Sequence, residues 1–270
     1  MQPTLENVYK KLDASSPSER MPVLFIGHGS PMNVIADSPY GTSWKELGTH
    51  LPKPRAIVCM SAHWLTEGTQ ITSVQNPEII NDFYGFPSEL YQVAYPAHGS
   101  PEIAREIASL APAYITENQT YGLDHGTWTV LKHLFPEANI PVLQMSIDIT
   151  RDRNTQYTLF QNLRSLREQG ILFIGSGNIV HNLREIQMTG PHEWAVTFDA
   201  LSEKLIRERD VEALLKIETH TPLANLAIPT DEHYRPMINA LALTYDTEEI
   251  AFFNEHIDLG SISMRSFITL

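Results

Sequence analysis

The chain has 270 residues, of which 42% are hydrophobic and 19% are charged, a composition typical of a globular protein with a sizeable core. Its formal net charge of −13 argues against nucleic acid or an anionic membrane as a partner, because both need clustered Lys and Arg. Cys59 is the single cysteine, so no intrachain disulfide is expected. No secretory signal or membrane-spanning run is visible, and a soluble cytoplasmic protein is therefore expected.

Predicted strands and helices alternate along the chain. Residues 1–20 are polar and are expected to extend from a single catalytic domain over 21–270. Short apolar runs predict buried strands at 22–27, 56–61, 141–147, 171–175 and 262–268, with shorter or edge strands at 70–75 and 91–95. Helical periodicity predicts helices at 101–110, 127–134, 154–168, 194–208 and 233–243.

Local signals place some of the helix ends. Ser100 followed by Pro101 predicts a capped helix start, Asn154 is a candidate cap for the third helix, and Gly170 is a candidate end for it. The alternation predicts one α/β domain with a mostly parallel central sheet flanked by helices. In such a fold, ligands bind at the carboxyl ends of the strands, where the active site is expected.

Three histidines follow predicted strands. His28 lies between two glycines, His63 follows Ser61-Ala62, and His181 follows the turn expected at Gly175-Ser-Gly177. Neutral imidazole is the commonest metal ligand and a proton carrier near neutral pH. Because the fold gathers strand ends into one crevice, these histidines predict a metalloenzyme site.

Two further histidines leave alternatives open. His125 follows Asp124, whose carboxylate either orients the imidazole or makes a structural turn. His233 lies in the first turn of a helix capped by Thr230, or it precedes a helix that Pro236 opens.

Residues 76–100 form a connection long enough to favour a functional loop. It carries Phe83, Tyr84 and Phe86 between glycine and proline residues. These aromatic rings either fill the core or line a pocket for a flat ring, and the pocket is the preferred interpretation.

Several separated segments together resemble the class III extradiol ring-cleavage dioxygenases, specifically the branch of DOPA 4,5-dioxygenases and their bacterial relatives. The matching segments run in order from residue 21 to about 240: Gly27-His-Gly-Ser-Pro-Met-Asn33, Ser61-Ala-His-Trp64, Asp82-Phe83 with Gly85-Phe-Pro87, Gly122-Leu-Asp-His-Gly126, Gly175-Ser-Gly-Asn-Ile-Val-His-Asn182 and Thr230-Asp-Glu-His-Tyr234.

The resemblance implies a metal held by His28, His63 and His233. It implies that His181 is either a fourth ligand or a nearby acid/base, and that His125 is a catalytic polar group on the substrate side. Fe(II) is the implied metal for ring cleavage, with O2 as co-substrate, although an all-imidazole site also suits Zn(II).

The substrate implied by the resemblance is a small catechol, DOPA-like and cleaved at the 4,5 position. Both atoms of O2 enter the ring to give a muconic semialdehyde type of product. Phe83, Phe86 and Trp64 are the predicted substrate-binding side chains. The physiological catechol and the oligomeric state stay open.

Two alternatives use the same histidines. One is a zinc-dependent hydrolase in which metal-bound water is the nucleophile. The other is a non-enzymatic metal-binding protein on the same fold. Oxygen uptake with a catechol, present with Fe(II) and absent with Zn(II), separates them from a dioxygenase.

Overall fold

The computed structural model describes residues 5–14 and 20–270. The strands in these residues are β1 (Val23–Gly27), β2 (Ala56–Thr66), β3 (Thr69–Thr72), β4 (Ile115–Asn118), β5 (Val142–Asp148), β6 (Ile171–Gly177), β7 (Ile250–Phe253), β8 (Ile257–Asp258), β9 (Ile262–Ser263) and β10 (Ser266–Thr269).

The α-helices in the same residues are α1 (Leu5–Ala14), α2 (Pro39–His50), α3 (Pro101–Leu110), α4 (His125–Leu134), α5 (Arg153–Leu163), α6 (Glu193–Glu208), α7 (Val211–Leu215), α8 (Ile217–His220), α9 (Ala224–Ala227) and α10 (Arg235–Ala242). Short 3-10 helices lie at Pro31–Val34, Leu90–Gln92, Arg164–Gln169 and Leu183–Glu185.

Eight strands form one mixed sheet in the order β4-β3-β5-β2-β6-β1-β10-β7. The four central strands, β5, β2, β6 and β1, are parallel to one another. Antiparallel pairs join this centre to β3 on one side and to β10 and β7 on the other. The predicted α/β domain with a mostly parallel central sheet flanked by helices is confirmed.

Each face of the sheet buries its own hydrophobic core, because successive side chains of a strand point to opposite faces. Val23 and Phe25 of β1 pack on the face covered by α3, α5, α6 and α10. Leu24 and Ile26 pack on the other face, with α2 and α4. The central strands are therefore apolar on both sides, as expected for buried parallel strands.

Several predicted boundaries are confirmed. Strand 141–147 corresponds to β5, and helix 101–110 to α3, where the Ser100 hydroxyl accepts the Ile103 N–H at 3.3 Å. Gly170, with φ of 82°, ends the 3-10 turn that follows α5.

Other boundaries were wrong. The strand predicted at 91–95 is absent, and a 3-10 helix occupies Leu90–Gln92. The run 262–268 is divided between β9 and β10, since β9 pairs with β8 outside the main sheet. Asp152, and not Asn154, caps α5 by accepting the Thr155 N–H at 2.8 Å.

Some elements were not predicted. β4 and β7 are four residues each, too short to give a clear pattern. α1 lies in the polar stretch 1–20, yet its Val8, Tyr9 and Leu12 are buried. The division of the chain at residue 20 stays a prediction.

Candidate metal centre

The strands β1, β2 and β6 are parallel neighbours, so their carboxyl ends lie side by side at one edge of the sheet. His28 directly follows β1, and its side chain is buried. His63 was expected after a strand ending at residue 61, but β2 continues to Thr66, so His63 lies inside it. β2 pairs with β5 as far as Met60 and again from Leu65, with the register shifted between these two residues. His63 therefore lies on a bulge, a feature that re-aims side chains beside functional sites.

Hydrogen bonds orient the His28 imidazole. Its Nδ1 lies 2.9 Å from the Ser176 hydroxyl oxygen, which itself donates to the Gly126 carbonyl at 2.5 Å. With the Ser176 proton used in this way, His28 Nδ1 must be the donor, and Nε2 carries the lone pair. That Nε2 lies 3.2 Å from Nε2 of His63.

One carboxylate contacts two histidines. Asp82 Oδ2 lies 3.3 Å from His63 Nδ1, and Asp82 Oδ1 lies 2.9 Å from His125 Nδ1. The second contact is close but poorly aligned for a hydrogen bond, and the same oxygen accepts the His125 backbone N–H at 2.9 Å. Burial raises the pKa of Asp82, but its contacts with His125 and His63 outweigh burial, and the net pKa is lowered.

His125 occupies the first turn of α4, two residues earlier than the predicted helix start. Asp124 is the N-cap of this helix, and its carboxylate also accepts from Ser61 at 2.7 Å and from the Gln144 amide. Of the two alternatives for Asp124, the structure therefore shows the structural turn. Asp82 contacts the His125 ring instead, a role that the sequence did not reveal.

His233 lies before α10, which begins at Arg235 with Pro236 in its first turn. Its carbonyl accepts the Asn178 N–H at 2.8 Å, and a Cβ on Gly177 would lie 2.2 Å from that oxygen. Only glycine fits there. Gly175-Ser-Gly177 is thus the buried end of β6 and not the flexible turn expected from the sequence.

The His233 imidazole is anchored on one side and unpaired on the other. Nδ1 lies 3.1 Å from Glu232 Oε1, whereas the buried Nε2 has no hydrogen-bond partner. The ring stacks on His181, with centroids 3.4 Å apart and planes 7° from parallel. The His181 backbone N–H donates to the Ala227 carbonyl at 2.8 Å.

Possible metal-ligating atoms form two groups within the described residues. The first histidine group contains His28, His63 and His125, and the second contains His181, Glu232 and His233; within each group the ligand atoms lie within 4.8 Å of one another. The groups adjoin, because the ring of His233 lies 5.0 Å from that of His63 and 5.4 Å from that of His28. All five predicted histidines are thus brought together.

Burial keeps four of these imidazoles neutral. It lowers the pKa of His28 and His233 well below the usual range, that of His181 to about 4 and that of His63 to about 3. The neighbouring histidines lower these values further, while Glu232 opposes the shift at His181. Neutral imidazoles keep the lone pairs that a metal ion requires.

The donor set fits a divalent metal. An unpaired buried nitrogen costs free energy in a folded protein, so the orphaned Nε2 of His233 needs a partner. Two nitrogens bound to one tetrahedral zinc ion at about 2.05 Å lie about 3.3 Å apart. The 3.2 Å between Nε2 of His28 and Nε2 of His63 agrees with that spacing.

The aromatic loop, residues 76–100, reaches this centre through Phe83. Its ring meets His125 edge-on, with centroids 5.6 Å apart, and Phe86 meets Phe83 in a similar way at 5.5 Å. Tyr84 is 91% exposed. Trp64 is buried and stacks flat on Tyr121 at 4.1 Å, so its predicted contact with substrate stays a prediction.

Comparison with known proteins assigns the class. Residues 23–258 match the family described as the catalytic LigB subunit of aromatic ring-opening dioxygenase. The chain belongs to this family and is an extradiol ring-opening dioxygenase. The resemblance inferred from the sequence is confirmed.

Individual relatives cover nearly the whole chain. A 4,5-DOPA dioxygenase extradiol of Escherichia coli K12 is 42% identical, over 92% of this chain and 94% of its own length. A protein of the same name from Beta vulgaris is 36% identical, over 90% and 94%. The crystal structure of an uncharacterized protein from Escherichia coli K12 aligns with a TM-score of 0.80 at 37% identity, over 92% of this chain and 99% of the other.

No helix in residues 5–14 or 20–270 has the length and apolarity needed to span a bilayer.

Proposed function

We propose that this enzyme cleaves a small DOPA-like catechol at the 4,5 position, inserting both atoms of O2 to give a muconic semialdehyde type of product. The observation that carries the proposal is the meeting of three imidazoles, His28, His63 and His233, whose Nδ1 atoms each lie within 3.3 Å of a protein oxygen. The name of the relatives, 4,5-DOPA dioxygenase extradiol, supports this choice of catechol.

The proposed metal ligands are Nε2 of His28, His63 and His233. Fe(II) at this place would lower the pKa of catechol hydroxyls and supply the one-electron chemistry that O2 needs. The ligands are uncharged, so they leave the full cationic charge to stabilise a dianionic substrate. Zinc suits the same nitrogens, and metal found after purification need not be the metal that supports turnover.

His181 is the proposed acid/base, and it stands apart from the proposed ligands in its surroundings. Its side chain is only partly buried, and its pKa of about 4 leaves it neutral and able to accept a hydroxyl proton. The carboxylate of Glu232 raises the pKa of His181 and so stabilises the protonated ring. A protonated His181 then holds the proton for return to the opening ring.

The substrate side of the site is proposed to be formed by His125 and the aromatic loop. His125 is buried beside Phe83 and supplies a polar group for a substrate oxygen. Phe83 and Phe86 offer ring edges and faces to a flat aromatic substrate and reduce the access of water. Trp64 is proposed to support the substrate side of the site through its stack on Tyr121.

Oxygen uptake tests this function. Metal-free protein is loaded with Fe(II) or with Zn(II) and mixed with L-DOPA, with unsubstituted catechol or with a non-catechol phenol. We expect oxygen consumption and a yellow product with Fe(II) and the catechols only, and the highest kcat/KM with L-DOPA. Uptake with none of the catechols would contradict ring cleavage, and a preference for unsubstituted catechol would contradict the DOPA-like substrate.

Family membership favours this function over the two alternatives from the sequence. A hydrolase or a metal-binding protein on the same histidines would consume no O2 in the experiment above.

A further inference from the structure

Asp82 lies outside both histidine groups and contacts members of the first. Its two oxygens are divided between His63 and His125, at 3.3 Å and 2.9 Å from the respective Nδ1 atoms. Its side chain is 22% exposed, so it stands at the edge of the site and not in the core. The two histidines come from different elements, β2 and the start of α4, and have different proposed duties.

The contacts constrain the position of a proton on each ring. Carboxylate oxygens only accept hydrogen bonds, and a neutral imidazole carries one N–H and one lone pair. A lone pair facing Asp82 would be repelled, so both rings place N–H on Nδ1. Nε2 of His63 and Nε2 of His125 are therefore left with lone pairs directed away from Asp82.

The same residue belongs to the aromatic loop. The loop is fastened to the turn before α4 by two backbone hydrogen bonds, from Ile80 to Leu123 at 2.7 Å and from Leu123 to Glu78 at 2.8 Å. The Trp128 indole also donates to the Ile80 carbonyl at 3.1 Å. Asp82 lies two residues beyond this fastening and one before Phe83.

We propose that Asp82 is a positioning residue that fixes the Nδ1–H tautomer of His63 and His125 together and ties the aromatic loop to the metal centre. The inference rests on the proposed metal site. Asp82 then fixes both the position of the aromatic loop and the orientation of the ligand His63, so a change at Asp82 alters metal affinity and substrate binding together. Carboxylates that accept hydrogen bonds from metal-binding histidines commonly orient these ligands and increase metal affinity.

The test compares Asp82→Asn with Glu89→Gln, which removes the same charge from the same loop at an exposed side chain that contacts Ser88. The asparagine oxygen satisfies one imidazole, but its NH2 group opposes the other N–H. We expect Asp82→Asn to weaken Zn(II) binding by about 10- to 100-fold in competition with a chelator. The Glu89→Gln affinity should equal that of the wild type.

Tautomers are read by NMR of the zinc-loaded protein with 15N-labelled histidine, because without an ion the lone pairs on Nε2 of His28 and Nε2 of His63 would face each other at 3.2 Å. His63 and His125 should both carry N–H on Nδ1 in the wild type, and the His125 proton should move to Nε2 in Asp82→Asn. With Fe(II), the variant should also raise KM for L-DOPA, whereas a purely structural defect would lower active protein without moving KM.

Several results would overturn the proposal. The proposal is wrong if His63 or His125 of the wild type carries its N–H on Nε2, and this test holds even if the variant fails to fold. Unchanged zinc affinity together with unchanged tautomers in a folded Asp82→Asn would overturn it as well. Because zinc affinity and tautomers need no turnover, an enzyme inactive toward catechols would contradict the proposed function and leave this inference standing.

Discussion

The two histidine groups differ in what holds them. The first group is built on the sheet, with His28 at the end of β1 and His63 on the bulge of β2, and it is oriented by Ser176 and Asp82. The second group lies between β6 and α10, where backbone contacts and Glu232 orient His233. The first is suited to hold an ion in fixed geometry.

Within the second group the two imidazoles are unlike. His233 is buried, its nearest carboxylate is on the adjacent residue, and its Nε2 is left unpaired. His181, stacked on it, is only partly buried and more easily protonated. This difference supports the proposal that His233 completes the metal centre from across the crevice, while His181 accepts and returns a proton.

The largest expected effect comes from the first group. His28→Ala or His63→Ala should abolish stoichiometric metal binding, because each removes one of two nitrogens that face each other at 3.2 Å. Metal analysis after dialysis measures this, with circular dichroism to check the fold. His98→Ala, at a half-buried histidine near the start of α3, is the control and should bind one equivalent. One full equivalent in both site variants would remove His28 and His63 from the metal.

His181→Gln should separate turnover from metal binding. A positioned acid/base contributes about 10²- to 10⁴-fold to the rate, so kcat should fall by about that factor at neutral pH. Iron content and catechol binding should largely persist, since the proposed ligands are untouched. Loss of metal would make His181 a fourth ligand, and full activity would exclude a role in proton transfer.

The metal-free protein should lose stability as the pH falls below 6.5. An unfolded histidine takes up a proton near pH 6.5, whereas folded His181 does so only near pH 4 and folded His63 near pH 3. Between these values the unfolded chain binds more protons, so the free energy of unfolding decreases with falling pH, by up to about 1.4 kcal/mol per pH unit for each histidine. Above pH 6.5 these groups contribute no slope.

Urea denaturation in a chelating buffer at pH 5, 6, 7 and 8 measures that slope. His181→Gln should flatten it between pH 5 and 6, and His220→Gln, at an exposed histidine, should not. Equal slopes in all three proteins would show that His181 is not held neutral by the fold.

The smallest effect concerns the aromatic loop. Phe83→Ala removes a partly buried ring that contacts His125, and the lost apolar contact is worth about 1.5 kcal/mol, or about tenfold in KM for L-DOPA. Metal content should not change. Tyr84→Ala, at the 91% exposed neighbour, is the matched control and should leave KM unchanged. Lower stability with unchanged KM would assign Phe83 to the core.

Much of this site was predictable because parallel strands end together. His28 and His181 follow apolar runs, and the sheet brings them close together although they are distant in sequence. Gly175-Ser-Gly177 was harder to interpret. Its glycines face the backbone of the His233 segment, and Ser176 faces His28 on the other side. These contacts can be inferred only when the tertiary packing is known.

The unpredicted parts depend on contacts distant in sequence. The contacts of Asp82 are not predictable from its sequence neighbours, because its partners His63 and His125 lie 19 and 43 positions away. His63 was placed after a strand because a bulge has no reliable sequence signal, and the strand resumes beyond it. The error at 91–95 arose from local apolar content, but Tyr91 is 40% exposed and a 3-10 helix occupies Leu90–Gln92.

The most direct test of the account is the position of a bound ion, seen as the anomalous signal in a crystal of the zinc-loaded protein. We expect one ion ligated by Nε2 of His28, His63 and His233, with the His125 ring turned to the substrate side. An ion held by His28, His63 and His125, with Nε2 of His233 still unpaired, would contradict it.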